Sequence, residues 1–245
     1  MVGNVDKRTQ HTDEKRNVVS VKKASAGDLD TLVSMTRVCF PDEIAWNVRP
    51  LAAKFWKGVL ESPSCETWIW IVGNSPAAFC HLVVDVEMWA GEKPRYDYGL
   101  ATKLWRLIAN PDVLIRKIKK KLNPPQAEDI YKPSEDASMK ENYERCAGFM
   151  SSTLSSNETL LYGGLEFNPS EVMWVERAGV LPEYRKHALA IRVIQFSNKR
   201  AKELQRSAVC GMIEMVKKPW CFLHERFGYG AVHYDKGRYT FLKVL

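Results

Sequence analysis

The chain of 245 residues has no Cys-x-x-Cys pair, no internal repeat and no uninterrupted apolar run long enough to cross a bilayer. Its six cysteines, Cys39, Cys65, Cys80, Cys146, Cys210 and Cys221, are scattered, so they read as reduced core thiols of a cytosolic (cytoplasmic) protein, and no metal site is evident. The longest apolar region, residues 67–90, is broken by Gly73-Asn74-Ser75-Pro76 and by Asp85 and Glu87, which excludes a membrane span and favours a hairpin. A secretory leader is missing too. Residues 1–17 are polar and mixed in charge, and read as a disordered tail rather than a targeting peptide. What is present is ordinary globular usage, 45% hydrophobic and 27% charged, sufficient for one sizeable core without covalent staples.

Periodicity orders the elements. Residues 18–22 alternate as a short strand, and Ser25-Ala26-Gly27-Asp28 forms a capping box before a helix with Leu29, Leu32, Val33 and Thr36 on one face. A second helix runs over 51–61, with Phe55, Trp56 and Val59 apolar, and Ser62-Pro63 ends it. Strands over 67–72 and 78–87 then pair across a loop, 73–76, that is too long to demand a primed turn. Residues 173–179 read as a strand, 191–204 as a helix and 207–213 as a strand, with a closing pair around 231–234 and 239–244.

The most informative stretch follows the strand at 173–179: Val180-Leu181-Pro182-Glu183-Tyr184-Arg185-Lys186-His187-Ala188-Leu189-Ala190. A helix beginning there aims its unpaired N–H groups, its positive dipole end and two basic side chains at one spot, which suits a pyrophosphate. An ordinary β-α unit would carry the same alanines, so context has to decide. Further on, Leu223-His224-Glu225-Arg226-Phe227-Gly228-Tyr229 supplies a second motif.

Together these two motifs resemble the signatures of the GNAT superfamily of N-acyltransferases. The first resembles its acyl-CoA-binding pattern, Arg or Gln, two residues, Gly, one residue, Gly or Ala, with Ala188 in place of the first glycine. The likeness spans nearly the whole chain outside residues 88–170. It implies an α/β (α+β) GNAT-like fold, with a mixed, mostly antiparallel central sheet flanked by helices on both faces. Residues 18–245 would form that single domain, and 88–170 an insertion. It implies an N-acyltransferase that moves an acyl group, acetyl first among them, from acyl-CoA (as co-substrate) to a primary amine in a ternary complex. Arg185 and Lys186 with the amides of His187, Ala188, Leu189 and Ala190 would hold the pyrophosphate, and the backbone at Ala178 and Val180 the pantetheine arm and thioester.

Acyl transfer to an amine needs an acceptor for the amine proton, a donor for the oxyanion and a proton for the departing thiolate. Alternation places Glu176 on the face of Ala178 and Val180 and makes it the candidate base, with a plain salt-bridged carboxylate as the competing reading. Glu166 and Glu171 are lesser candidates. The family commonly has a tyrosine as donor to the thiolate where this chain has His224, and an imidazole with an ordinary pKa is only roughly a quarter protonated at neutral pH. Tyr229, Tyr234 and Tyr184 are alternatives nearby. The family's asparagine before this helix is missing, with Lys217 or Lys218 near its place.

Residues 88–170 read as this chain's own feature. Leu100, Leu104, Leu107 and Ile108 form one apolar face, and Asn110-Pro111 starts a further helix carrying Leu114, Ile115, Ile118 and Leu122. That helix also holds Arg116, Lys117, Lys119, Lys120 and Lys121, much of the net charge of +7. It could be a solvated helix back, a docking face for an acidic carrier protein or an anionic membrane surface, or, least favoured, a nucleic-acid patch. Residues 140–150 read as a helix, 160–167 as a strand, and 123–138 as loop. The acceptor is read as a small-molecule amine. Two other functions stay open: a long-chain transferase fed by acyl carrier protein, and a non-catalytic descendant that binds CoA or a partner.

Overall fold

The segment Cys65-Glu66-Thr67-Trp68-Ile69-Trp70-Ile71-Val72 is rich in β-branched and aromatic residues and is buried on both faces, which makes it an inner strand. It belongs to a computed structural model that describes residues 19–41, 43–96, 108, 111–122, 140–154, 158–214, 223, 226–235 and 238–245. The elements are β1 (Val19–Lys23), a 3-10 turn (Ala26–Asp28), α1 (Leu29–Cys39), α2 (Ile44–Asn47), α3 (Arg49–Glu61), β2 (Cys65–Val72), β3 (Ser75–Val83) and α4 (Val86–Tyr96). There follow α5 (Pro111–Leu122), α6 (Lys140–Thr153), β4 (Leu160–Tyr162), β5 (Leu165–Phe167) and β6 (Val172–Val180). A 3-10 segment (Pro182–His187), α7 (Leu189–Glu203), β7 (Ala208–Glu214), β8 (Gly230–Asp235) and β9 (Arg238–Val244) complete them.

Seven of the described strands form one sheet in the order β1-β2-β3-β6-β7-β9-β8. Every neighbouring pair is antiparallel except β6 and β7, which are parallel and therefore need a crossover. α7 supplies it. Leu189, Val193, Ser197 and Ala201 recur every four residues and are buried against the sheet with Trp70, Cys80, Met173 and Phe241. Arg200, near the far end of α7, grips Glu66 of β2 with two hydrogen bonds of 2.8 Å. The opposite face packs α1 and α3 on the sheet through Leu32, Trp56, Val59, Ile69 and Phe79. Trp89 of α4, Cys146 of α6 and Phe167 of β5 are fully buried in that same cluster. The mixed sheet with helices on both faces is the architecture that the motifs imply.

Several local expectations change. The first hairpin is tighter than its Gly-Asn-Ser-Pro loop indicates: Val72 pairs with Ser75, leaving Gly73-Asn74 as the turn. The strand expected to reach residue 87 stops at Val83, and α4 begins at Val86, where Asp85 accepts the Met88 N–H at 2.9 Å. Residues 160–167 are not one strand but a two-stranded hairpin turning at Gly163-Gly164. The capping box is formed, with the Asp28 carboxylate accepting the Ser25 N–H at 3.0 Å. The expected tail, residues 1–17, and the loop 123–138 lie outside the described residues.

The basic turn differs too. The chain does not enter an α-helix at Pro182. It makes a 3-10 segment, passes through Ala188 at φ 54 and ψ 19, and only then starts α7. This is the left-handed region, where a Cβ costs on the order of 1 kcal/mol. A glycine at this position would carry no such cost. Ala188→Gly is therefore expected to raise the melting temperature by about 2–4 °C in a chain of this size; calorimetry showing a fall would mean the position is not strained.

Candidate active site

β6 and β7 pair for only four positions, Val172 with Ala208 through Val175 with Gly211, and then part. Beyond that point β6 continues beside β3 to Val180, opposite Ala78, while β7 continues beside β9 to Glu214, opposite Arg238. Each strand is held on its outer edge and free on its inner one. The Leu181 N–H bonds to the Ala77 carbonyl at 2.9 Å, so antiparallel alternation turns the backbone groups of Ala178 and Val180 away from β3 and into the gap. The gap is the centre of a cavity of about 840 Å³ lined by residues of both sheet faces. On one side lie Cys39, Phe40, Glu43 and Arg177, and on the other Val193, Ile194, Ser197 and Tyr229. It forms a passage between the two strands, lined from both faces of the sheet. Gly179 is required here, because a Cβ would come within 2.8 Å of both Cys39 Sγ and Phe79, closing α1 off from the strand.

A register shift marks β6 where the passage opens: His81 opposes Arg177, but the next residue, Leu82, opposes Val175. Glu176 is thus the extra residue of a bulge. The bulge reverses the alternation, so Glu176 lies on the opposite face from Ala178 and Val180, not on their face as simple period-two counting gives. It shares that face with Trp174 and Arg177. Its carboxylate accepts from Lys93 Nζ of α4 at 2.7 Å and from Tyr162 Oη of β4 at 2.9 Å, while Lys93 Nζ also bonds to Tyr162 Oη at 3.0 Å. The Glu176 side chain is only 5% exposed. Burial alone would raise its pKa, but the charge and hydrogen bond of Lys93, with Arg177 and His81 adding, hold it below the usual carboxylate range. The same burial and the Glu176 charge push the Tyr162 phenol upward, so it stays protonated and serves as donor.

Above the bulge, Arg177 pairs with Glu43 at 3.1 Å and lies between the rings of Phe40 and Trp46, 5.6 and 5.4 Å from their centroids. Trp46 Nε1 donates to Glu43 at 2.8 Å. Sequence reasoning missed Glu43, because a carboxylate in a loop after a helix has no periodicity to flag it. Of the lesser candidates, Glu166 is exposed and accepts from Thr159 at 2.9 Å, and neither it nor Glu171 lines the passage.

On the other side, Arg185 Nε donates to the Val180 carbonyl at 3.4 Å, joining the basic turn to the end of β6. Ala190 lines the passage and Leu189 is buried beneath it. The side chains of Lys186 and His187, all of His224 and the Lys217-Lys218 pair lie outside the described residues. Tyr229, from the same motif as His224, is buried on the passage and donates from Oη to Asn198 Oδ1 of α7 at 2.7 Å. Burial drives its phenol pKa up, so it is protonated at any ordinary pH.

His81, opposite Arg177, is fully buried among Phe55, Trp56 and Trp89, and its Nε2 has no partner among the described residues. Burial first, with Lys93 and Arg177, lowers its pKa to about 4 against the ordinary 6.5, although Glu176 pulls the other way. A depressed histidine contributes stability above its unfolded pKa that is lost as the pH falls. Between about pH 6.5 and pH 4 the protein should lose up to about 3 kcal/mol through this residue. Melting curves from neutral pH to about pH 4.5 should show a steeper decline for the native chain than for His81→Phe; parallel declines would refute a buried neutral imidazole.

No protein-family model matches the sequence, and no curated protein does. Solved structures do. A Drosophila melanogaster polyamine N-acetyltransferase that forms N-acetylagmatine aligns over 93% of this chain and 100% of its own, at 15% identity and a TM-score of 0.51. A mosquito arylalkylamine N-acetyltransferase like 5b aligns over 93% and 100% at 15% identity and a TM-score of 0.48. Arabidopsis thaliana NAA60 in complex with acetyl-CoA aligns over 93% and 99%, at 12% identity and a TM-score of 0.49. At such identities the likeness speaks for the fold alone: this chain has the fold of the Drosophila melanogaster polyamine N-acetyltransferase.

Proposed function

We propose that this protein is an acyl-CoA-dependent N-acyltransferase that transfers an acyl group, acetyl first among them, to the primary amine of a small molecule. The observation that supports the reading is the passage between β6 and β7, which is lined by residues of both sheet faces, an arrangement suited to two substrates approaching from opposite sides. A basic turn and a helix N-terminus stand at one mouth, and carboxylates at the other. The Drosophila enzyme, alike in fold, acetylates polyamines, which supports the reaction class by analogy.

The donor enters from the α7 side. The amides of His187, Ala188, Leu189 and Ala190, with Arg185 and Lys186, take the pyrophosphate at the helix start. The inward-facing backbone groups of Ala178 and Val180 pair with the pantetheine arm as an added strand would, and bring the thioester to the bulge. The acceptor enters on the Glu43 side. Glu176, kept ionised by Lys93, favours a cationic amine nearby and takes up its proton through water. The neutral amine attacks the thioester carbon, a C–N bond forms, the C–S bond breaks, and the thiolate takes a proton. Tyr229 is placed for that last step because it lies on the passage and stays protonated; His224 is the competing donor.

Turnover is measured as free thiol released from acetyl-CoA over a panel of primary amines. Glu176→Gln should lower kcat/KM by about 100-fold or more and flatten its acid limb, since the ionised base is gone. Tyr229→Phe should cut kcat by about 100-fold while leaving KM for acetyl-CoA within a few-fold. Full turnover in Tyr229→Phe with loss in His224→Ala would hand the donor role to His224. Arg185→Glu should weaken CoA binding, and unchanged affinity would sink the pyrophosphate assignment. Absence of thiol release with every amine would overturn the reading.

A further inference from the structure

α5 separates its apolar and polar residues more sharply than the other described α-helices of eleven residues or more, yet three of its apolar residues are turned to solvent. Ile115, Ile118 and Leu122 keep 51%, 47% and 73% of their surface exposed. At about 100° per residue, Leu114, Ile118, Leu122 and Ile115 fall within one arc about 100° wide, the width of a stripe that ordinarily faces a core. The same spacing puts Arg116, Lys117, Lys119, Lys120 and Lys121 on the rest of the wheel, with Lys119 and Lys121 at the two borders of the stripe. The acidic residue of this helix is Asp112, in its first turn.

This combination selects among partners. A second copy laid stripe to stripe would set five cations against five. Nucleic acid would engage the cations and leave the stripe in water. An acidic protein surface would meet only part of these cations, which are spread around the polar arc together with Asp112 and Val113, and would leave the stripe in water. A bilayer carrying anionic lipids satisfies both parts: the stripe sinks to the boundary of headgroups and acyl chains, the bordering lysines extend to the headgroups, and the rest add diffuse attraction. No helix among the described residues is long and apolar enough to cross a membrane, so the mode is one of lying on the surface. We propose that α5 is an interfacial anchor that holds this protein against an anionic membrane surface. The proposal stands apart from the acyl-transfer reading.

The test is co-sedimentation of the full chain with vesicles of phosphatidylcholine alone and of phosphatidylcholine mixed with phosphatidylserine. Binding is expected to the mixed vesicles, to weaken with added salt, and to be slight on phosphatidylcholine alone. The Ile118→Glu, Leu122→Glu double variant should bind about tenfold more weakly or less still, with an unchanged melting temperature because both positions are exposed. Equal binding to both vesicles, no binding to either, or undiminished binding by the double variant would overturn the proposal. So would a lowered melting temperature, which would mean that the stripe packs within the fold. Binding to an acidic acyl carrier protein that the double variant abolishes, without vesicle binding, would assign the stripe to a protein partner instead.

Discussion

Two parallel strands that pair for four positions and then part are the constraint on which the rest of this protein depends. Neither can follow the other, because β3 holds the outer edge of β6 as far as Val180 and β9 holds the outer edge of β7 as far as Glu214. The gap is therefore a fixed feature of the sheet rather than a breathing motion. α7 makes the crossover between the two strands, and Arg200 near its end is tied to Glu66 of β2 by two hydrogen bonds of 2.8 Å.

The bulge at Glu176 converts this backbone feature into chemistry. Without the extra residue, Glu176 would face α7; with it, Glu176 and Arg177 both lie on the face of α1 and α4. Burying a carboxylate here is tolerable only because Lys93 and Tyr162 satisfy it, and removing one partner of such a cluster is far more damaging than replacing the whole. Lys93 and Tyr162 come from α4 and β4, near the two ends of the long connection between β3 and β6. That connection is thus tied to Glu176 by hydrogen bonds of 2.7 to 2.9 Å.

Much of this was legible from the residues. The strand read at 173–179, the helix read at 191–204 and the strand read at 207–213 follow from periodicity and match β6, α7 and β7 to within one or two residues. The bulge was not legible: Val175-Glu176-Arg177-Ala178 alternates as well as any strand, and only the partner's register reveals the added residue. Residues 84–90 misled because Val83-Val84-Asp85-Val86-Glu87 alternates like a strand, whereas Asp85 starts a helix. Ala188 stood out as a lost glycine, but its left-handed backbone could be seen only in the structure. Glu43 carries no pattern at all, being recruited by the distant Arg177.

We infer that the gap between β6 and β7 admits the pantetheine arm of an acyl-CoA. Thermal unfolding with CoA, acetyl-CoA and a long-chain acyl-CoA tests it most directly, since a ligand bound only by the folded state adds about 2.7 kcal/mol at a hundred times its Kd. A clear rise in midpoint is expected with all CoA species, with acetyl-CoA at least as effective as the long-chain ester. No rise with any of them would contradict it.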